Sequence, residues 1–219
     1  MNLKENFKPA AAIFDMDGLM LDTETPIIPL WIEAGKIIGW DIKEETAIRT
    51  IGYNGKDIRE ICYRDLGADF PFDLFLVELK KLVYSEFEKG IAHKKGLLPL
   101  LDHLASLSIP LAVATSTSRD TAVFKLEKTG ILNRFTVIVC GNEVAHGKPA
   151  PDIFLKAAEK LGVPPEQCIG LEDSPAGLKA LAAAGIPSIF IKDIIEPPED
   201  VLATVWKRCN DLLEVIQII

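Results

Sequence analysis

Short apolar runs alternate along most of the chain with longer stretches in which apolar residues recur every three or four positions. The short runs are typical of buried strands, and the longer stretches are typical of amphipathic helices. The predicted strands are Ala11–Phe14, Pro110–Ala114, Val137–Cys140, Cys168–Leu171 and Ile189–Ile191. Since helical stretches separate strands that are apolar throughout, the pattern predicts an α/β fold, with a parallel sheet covered by helices on both faces.

The region between the first two predicted strands has a different pattern. Over residues 23–92 the apolar spacing is helical, and no stretch has the alternation or the compact apolar run of a strand. We therefore predict an α-helical domain at 23–92, inserted into a core domain made of residues 1–22 and 93–219. The two crossings, near residues 23–26 and 90–96, are candidate hinges.

Composition and charge narrow the classes of function. The chain has 219 residues and a formal net charge of −8, which argues against non-specific nucleic-acid binding. No apolar run approaches the about 20 residues of a membrane-spanning helix. We expect no nucleic-acid or membrane partner, and nothing requires more than a monomer. The cysteines are scattered and form no CxxC pair, which favours reduced thiols in a cytoplasmic protein; they are Cys62, Cys140, Cys168 and Cys209.

Polar side chains follow four of the predicted strands. They are Asp15, Asp17, Thr115, Ser116, Lys148, Glu172 and Asp173. Because ligands of parallel α/β sheets bind beyond the carboxyl ends of the strands, we expect these side chains to meet in one crevice. Gly18 follows the first pair of carboxylates and permits a sharp reversal of the chain.

This set of residue types suits phosphoryl chemistry. Carboxylates without histidine or cysteine form a hard oxygen site of the kind that Mg²⁺ prefers. A hydroxyl at a helix N-terminus and a lysine supply donors to a phosphate. One carboxylate can attack phosphorus, and a second, two residues further on, can protonate the departing alcohol.

In their order, these motifs resemble those of the haloacid dehalogenase-like superfamily. The motifs are Asp15-Met16-Asp17-Gly18 with Asp22-Thr23-Glu24, then Ala114-Thr115-Ser116, Gly147-Lys148-Pro149-Ala150-Pro151-Asp152 and Glu172-Asp173-Ser174-Pro175-Ala176-Gly177. The chain is most similar to the branch with a helical cap after the first strand, which includes β-phosphoglucomutase and sugar-phosphate phosphatases. The resemblance covers almost the whole chain. It implies a Rossmann-like parallel sheet with helices on both faces, plus an inserted α-helical cap domain.

The resemblance also implies roles for the residues. Asp15 is the nucleophile and Asp17 the general acid and base. Thr115, the Ser116 amide and Lys148 hold the phosphoryl group of a small phosphorylated metabolite. The implied Mg²⁺ ligands are the Asp15 carboxylate, the Asp17 main-chain carbonyl and Asp173, with Glu172 in support.

Each of these residues also has a purely structural interpretation. Thr115 can cap a helix, and Lys148 can be a solvated surface lysine. Glu172 and Asp173 can favour the dipole of the following helix.

Two residues separate the candidate enzymes of this family. Where β-phosphoglucomutases carry a histidine and a cap arginine, this chain has Ile27 and, in the turn from Gly52 to Lys56, Gly55. Both differences favour a Mg²⁺-dependent phosphatase over the alternative, a mutase. We expect cap residues to set the substrate specificity of the phosphatase. Arg119 is the nearest cationic candidate at the rim, and we expect it to be a solvated residue at a helix start. A non-catalytic binding protein of the same fold is the third possibility.

Overall fold

The computed structural model describes residues 7–51, 53 and 55–219. Its centre is a six-stranded sheet in the order β5-β4-β1-β6-β7-β8, in which every pair of neighbours is parallel. The sheet strands are β1 (Ala11–Phe14), β4 (Leu111–Thr115), β5 (Val137–Cys140), β6 (Cys168–Glu172), β7 (Ser188–Ile191) and β8 (Lys207–Cys209). The predicted α/β fold is confirmed.

Helices connect and cover these strands. They are α1 (Glu24–Ile37), α2 (Glu44–Ile48), α3 (Gly55–Leu66), α4 (Phe72–Lys89), α5 (Leu97–Ser106), α6 (Arg119–Lys128), α7 (Asp152–Leu161), α8 (Pro175–Ala184), α9 (Glu199–Leu202) and α10 (Leu212–Val215). Short 3₁₀ turns lie at Leu132–Arg134, Gly141–Glu143 and Pro165–Gln167. Among the described helices, none has both the length and the apolar composition needed to cross a bilayer.

Both faces of the sheet are buried, as the uninterrupted apolar strands predict. Side chains alternate along β1, so that Ala12 and Phe14 pack into one core while Ala11 and Ile13 pack into the other. Gly170 lets α8 approach β6 closely, because a Cβ there would lie 2.3 Å from the side chain of Leu181. The sheet is therefore a rigid platform whose carboxyl edge is held in place from both sides.

Helices α1 to α4 lie between β1 and the rest of the sheet in the chain, and they build a core of their own. Aromatic rings dominate this core. The ring centroids of Trp31 and Phe75 are 4.9 Å apart, and the Phe70 ring packs against the rings of both Trp40 and Phe75. The chain enters and leaves this layer side by side, because β2 (Leu21–Asp22) pairs with β3 (Ala92–His93) in an antiparallel ribbon. The domain boundaries at 23 and 92 stay a prediction.

The pattern analysis missed three strands. The ribbon strands β2 and β3 have two residues each, too few to show a period. The edge strand β8 carries exposed Lys207 and Arg208, so its sequence has no apolar run. The reasons therefore differ: β2 and β3 are too short to show a pattern, although Leu21 is buried, and β8 lies at the edge of the sheet, where burial does not impose an apolar sequence.

Candidate active site

All seven predicted site residues lie at the carboxyl edge of the sheet. Asp15 directly follows β1, Thr115 ends β4 and Glu172 ends β6. Lys148 reaches the same place from the loop between β5 and α7, and its Nζ bonds both Asp15 and Glu172. The predicted crevice is therefore present, and it opens into a cavity between the sheet and the helices α1 and α4.

Lys148 is one of the most deeply buried polar side chains of the site. Its side chain is 2% exposed, and Nζ donates to Oδ1 of Asp15 and to Oε1 of Glu172, the latter at 2.5 Å. Nζ also lies 4.9 Å from the centre of the Phe154 ring. Burial acts against the charge of this lysine, but Asp15 and Glu172 outweigh it and raise its pKa. The interpretation of Lys148 as a solvated surface lysine is wrong.

Glu172 is completely buried, and both of its carboxylate oxygens are in use. Oε1 accepts from Lys148, while Oε2 accepts from the amide of Ser174 at 2.7 Å and from its hydroxyl at 3.0 Å. Gly177 provides the space, since a Cβ there would lie 1.6 Å from Oε1. Glu172 thus holds Lys148 against Asp15 more than it favours a helix dipole.

Asp17 is held by four donors. Its carboxylate accepts from Lys125 Nζ at 2.5 Å, from the Thr23 hydroxyl at 2.6 Å and from the Thr117 hydroxyl at 2.7 Å, with Thr115 at 3.4 Å. Burial acts to raise the pKa of Asp17, but Lys125 and these hydroxyls outweigh it and lower the pKa. The carboxylate is therefore fixed in its charged form.

Lys125 is a site residue that the sequence analysis missed. It lies in the middle of α6, ten positions after Thr115 and outside every motif. Its side chain is 6% exposed, and its ammonium group also lies 5.2 Å from the centre of the Phe87 ring of α4. The available signal was its position: Lys125 is on the helix face of buried Ala122 and Leu126, where a lysine needs a charged partner.

Thr115 does not act as a helix cap. Its hydroxyl donates to Asp17 and accepts from the amide of Thr117, while α6 begins after Ser118. Arg119 begins α6, as predicted, and its side chain is 39% exposed, but it is paired and not free in solvent. It forms a two-pronged ion pair with Glu143 at 2.9 Å for both contacts and donates to the carbonyl of Ile138 at 2.6 Å. Arg119 therefore braces the loop after β5.

The turn from Gly52 to Lys56, predicted to influence specificity, is described only in part. Gly52 and Asn54 lie outside the described residues. Lys56 lines a second cavity, of about 520 Å³, together with Ser116 and Ser118. Residues 55–57 of the turn and α3 thus share this cavity with the loop after β4.

A cluster of carboxylates surrounds Asp173. Oxygens of Glu24, Asp173 and Asp193 all lie within 4.8 Å of one another. Gly18, with φ +84°, makes this approach possible, because a Cβ there would lie 2.5 Å from Oδ2 of Asp173 and 3.0 Å from Oε2 of Glu24. Asp193 follows β7 and also accepts from Lys94 at 2.5 Å. Of the three carboxylates, only Asp173 was predicted as a metal ligand.

The donor set of this cluster fits a divalent cation. Three buried oxygens have no hydrogen-bond partner among the described residues: Oδ1 of Asp173, Oε2 of Glu24 and Oδ2 of Asp193. Burial, followed by repulsion from neighbouring carboxylates, raises the pKa of Glu24 and of Asp173 well above their usual range. Such a cluster is stable only when it holds protons or a cation, and hard oxygen ligands suit Mg²⁺ or Ca²⁺.

Burial also raises the pKa of the predicted nucleophile, Asp15, to about 7, although Lys148 acts in the opposite direction. The carboxyl group that points into the cavity is thus poised between its two protonation states at neutral pH.

Comparisons with known proteins agree with this geometry. Residues 12–191 match the model of the haloacid dehalogenase-like hydrolase family. The chain is 35% identical, over 82% of its length and 83% of the relative's, to a phosphorylated carbohydrates phosphatase of Thermotoga maritima. It is 31% identical to the fructose-1-phosphate phosphatase YqaB of Escherichia coli, over 84% of this chain and 96% of that one. The crystal structure of CbbY from Rhodobacter sphaeroides with phosphate superposes with a TM-score of 0.80 at 28% identity, covering 95% of this chain and 96% of that one. The chain belongs to the haloacid dehalogenase-like hydrolase family.

The crowded carboxylates predict how stability depends on pH and on Mg²⁺. Their pKa values are raised in the folded state, so without metal they stabilise the fold most below their unfolded pKa of about 4. That contribution is lost as the pH rises through the folded pKa, which for Asp15 is about 7. We expect Mg²⁺ to raise the Tm more at about pH 8 than at about pH 5, because protons compete with the cation at the lower pH.

Differential scanning fluorimetry with and without Mg²⁺ measures this difference. The variant Asp173→Asn removes one cluster carboxylate and should lose the Mg²⁺-dependent increase, while Asp102→Asn, at an exposed carboxylate on α5, should keep it. An increase that is the same at both pH values, or one that survives in Asp173→Asn, would contradict the assignment of the cluster.

Proposed function

We propose that this hydrolase is a Mg²⁺-dependent phosphatase that releases phosphate from a small phosphorylated metabolite through an aspartyl-phosphate on Asp15. The observation that carries the proposal is the pairing of two carboxylates with separate lysines at one cavity. Asp15 is held by Lys148, and Asp17 is held by Lys125. Sugar phosphates are the first substrates to consider, because relatives named as phosphatases of phosphorylated carbohydrates and of fructose 1-phosphate support that class.

Asp15 acts as the nucleophile in the first step. An oxygen of its carboxylate forms a bond to phosphorus, and the bond from phosphorus to the substrate's alcohol oxygen breaks. Asp17 is charged before the substrate binds, so it takes up one proton from solvent with the substrate and donates that proton to the departing alcohol. In the second step Asp17 takes a proton from water, whose oxygen attacks the same phosphorus and returns the Asp15 carboxylate together with inorganic phosphate.

The transferring phosphoryl group needs donors around its oxygens. Lys148 supplies a fixed positive charge beside Asp15, and Thr115 with the Ser116 amide supplies neutral donors from the end of β4. Such groups are held in place before the reaction starts, so their charge stabilises the transition state without reorganisation. Lys148 has this rigidity because Glu172 and Asp15 fix it from two sides.

The residues that would hold Mg²⁺ are the Asp15 carboxylate, the Asp17 main-chain carbonyl and Asp173, with Glu172 in support. When bound, Mg²⁺ neutralises part of the charge of the nucleophile and of the phosphoryl oxygens. Glu172 supports the site through Lys148 and Ser174, since both of its oxygens are already bonded there. Glu24 and Asp193, whose oxygens lie within 4.8 Å of an oxygen of Asp173, add negative charge beside it.

A phosphosugar mutase on this scaffold must keep its phosphoenzyme from reacting with water until a second hydroxyl arrives. Ile27 lines the cavity where a histidine would be expected for that control. The β-phosphoglucomutase of Clostridium difficile, a match at 22% identity with a TM-score of 0.80, shows the shared fold alone. We therefore favour the phosphatase over the mutase, and over a non-catalytic binding protein.

The four cysteines are buried and unpaired, and we propose the reducing cytoplasm as the location.

The proposal is tested by phosphate release from p-nitrophenyl phosphate and from a panel of sugar phosphates, with Mg²⁺ or with excess chelator. We expect release only with Mg²⁺, and none from Asp15→Asn, because an amide cannot form the acyl phosphate. Asp102→Asn, at an exposed carboxylate on α5 outside every motif, serves as the control. Phosphate release by Asp15→Asn at the wild-type rate would contradict the proposal, and inactivity of the wild type on every ester would favour the binding protein.

The same preparation separates phosphatase from mutase. With β-glucose 1-phosphate and glucose 1,6-bisphosphate supplied together, we expect release of phosphate with little formation of glucose 6-phosphate. Interconversion that outpaces phosphate release by a wide margin would assign the chain as a mutase.

Lys125 is expected to position Asp17 for proton transfer. Replacing it in Lys125→Met leaves Asp17 without its charged partner, and we expect kcat/KM on alkyl phosphates to fall about 10–100-fold, as for other partners that orient a reacting group. The loss should be smaller on p-nitrophenyl phosphate, whose leaving group needs no proton, and Lys125→Arg should restore part of the activity. Equal losses on both kinds of ester would assign Lys125 a role in folding alone.

A further inference from the structure

The cavity above Asp15 and Asp17 has two chemically different sides. It measures about 350 Å³ and lies between the sheet and the inserted helices. The sheet side is polar and carries the two aspartates, Thr115, Thr117 and Lys125. This side accounts for the phosphoryl group, and the alcohol part of a substrate must therefore face the opposite side.

The opposite side, which we call the cap wall, is an apolar stripe. Leu79, Val83 and Phe87 line it at intervals of four residues along α4, so they share one face of that helix. Ile27 of α1 continues the stripe toward the site. The other face of α4 turns outward, where Val77 is 49% exposed.

Few charged groups accompany this wall. Among the described residues of α1 to α4, Glu24 and Lys80 are the charged side chains that line the cavity. Glu24 belongs to the carboxylate cluster around Asp173, and Lys80 is exposed on α4. Lys125, on the sheet side, is already paired with Asp17.

Polar hydroxyls near the cavity are also engaged with one another. The Tyr84 hydroxyl lies 3.3 Å from that of Thr121, which in turn accepts from Ser118 at 3.3 Å. The Tyr84 ring itself packs edge-on against Phe124, with centroids 5.6 Å apart. These contacts join α4 to α6 at the rim, while Tyr53 is a further hydroxyl-bearing residue of the lining, away from the stripe on α4.

Such a wall discriminates between substrates by desolvation. A polyhydroxylated group placed against it loses hydrogen bonds to water and gains none in return. A second phosphate placed against the stripe itself is penalised further, since Leu79, Val83 and Phe87 offer it no charged partner. An apolar ring gains from leaving water and from contact with the aliphatic side chains.

We propose that the cap wall selects phosphomonoesters whose alcohol part presents an uncharged ring with an apolar or aromatic face. Leu79, Val83 and Ile27 are the specificity-determining residues. This inference rests on the proposed phosphatase function, but within the small phosphorylated metabolites it ranks ring apolarity above the number of hydroxyl groups, so that sugar phosphates become the poorer substrates.

Two esters that differ in little but polarity test the inference. Cyclohexylmethyl phosphate and glucose 6-phosphate both carry the phosphate on a primary carbon outside a six-membered ring. We expect kcat/KM to be higher for cyclohexylmethyl phosphate by about tenfold or more, the range for apolar groups in a complementary pocket. Glucose 1,6-bisphosphate should be hydrolysed more slowly than either.

A matched pair of variants tests whether the cap wall causes the preference for cyclohexylmethyl phosphate. Val83→Thr keeps the shape of the side chain but adds a hydroxyl on the cavity side, and we expect it to reduce the preference for cyclohexylmethyl phosphate several-fold. Val77→Thr makes the same change on the outer side of α4 and should leave the preference unaltered.

The outcomes separate this inference from the function on which it rests. If p-nitrophenyl phosphate is not hydrolysed at all, the phosphatase assignment fails. If it is hydrolysed while glucose 6-phosphate equals or exceeds cyclohexylmethyl phosphate, the phosphatase stands and the selectivity of the cap wall is refuted. A preference that Val83→Thr and Val77→Thr change equally would also refute it.

Discussion

The constraint on which the site depends is the crowding of carboxylates at one buried edge of the sheet. Asp15, Glu172 and Asp173 are buried there, and Asp17 and Glu24 lie beside them. Burial alone disfavours that much negative charge. Lys148 compensates one part of it and Lys125 another, while in the cluster of Glu24, Asp173 and Asp193 an ion pair joins Asp193 to Lys94. The fold thus maintains a crowding of negative charge that supports the proposed Mg²⁺ site.

This arrangement explains why the two aspartates of one short motif differ. Asp15 lies next to Lys148, which it shares with Glu172, and burial raises its pKa to about 7. Asp17 has Lys125 and three threonine hydroxyls to itself, and its pKa is lowered. Different environments for neighbouring carboxylates are a general basis for assigning them different chemical roles. Burial acts on both carboxylates, and they differ because Asp15 shares Lys148 with Glu172 while Asp17 has Lys125 and the threonine hydroxyls.

The α/β architecture and the meeting of the polar clusters at one edge could be predicted. Strands β1, β4 and β6 are buried on both faces and therefore contain apolar runs, and the polar residues directly follow these runs. Strand β8 could not be predicted, since its edge position leaves Lys207 and Arg208 exposed. Lys125 and Asp193 were missed for another reason. Their roles arise when α6 and the loop after β7 pack beside Asp17 and Asp173, and no motif marks that packing, although the position of Lys125 on the buried face of α6 was a signal.

The central claim is that Asp15 carries the phosphoryl group, and chemical trapping tests it most directly. The enzyme is mixed with Mg²⁺ and p-nitrophenyl phosphate, quenched in acid during turnover and treated with borohydride, which reduces an aspartyl phosphate to homoserine. Peptide mass spectrometry then locates the change. The account predicts homoserine at position 15 and none at position 17. Reduction at another residue, or no reduced peptide while both products are being released, would contradict it.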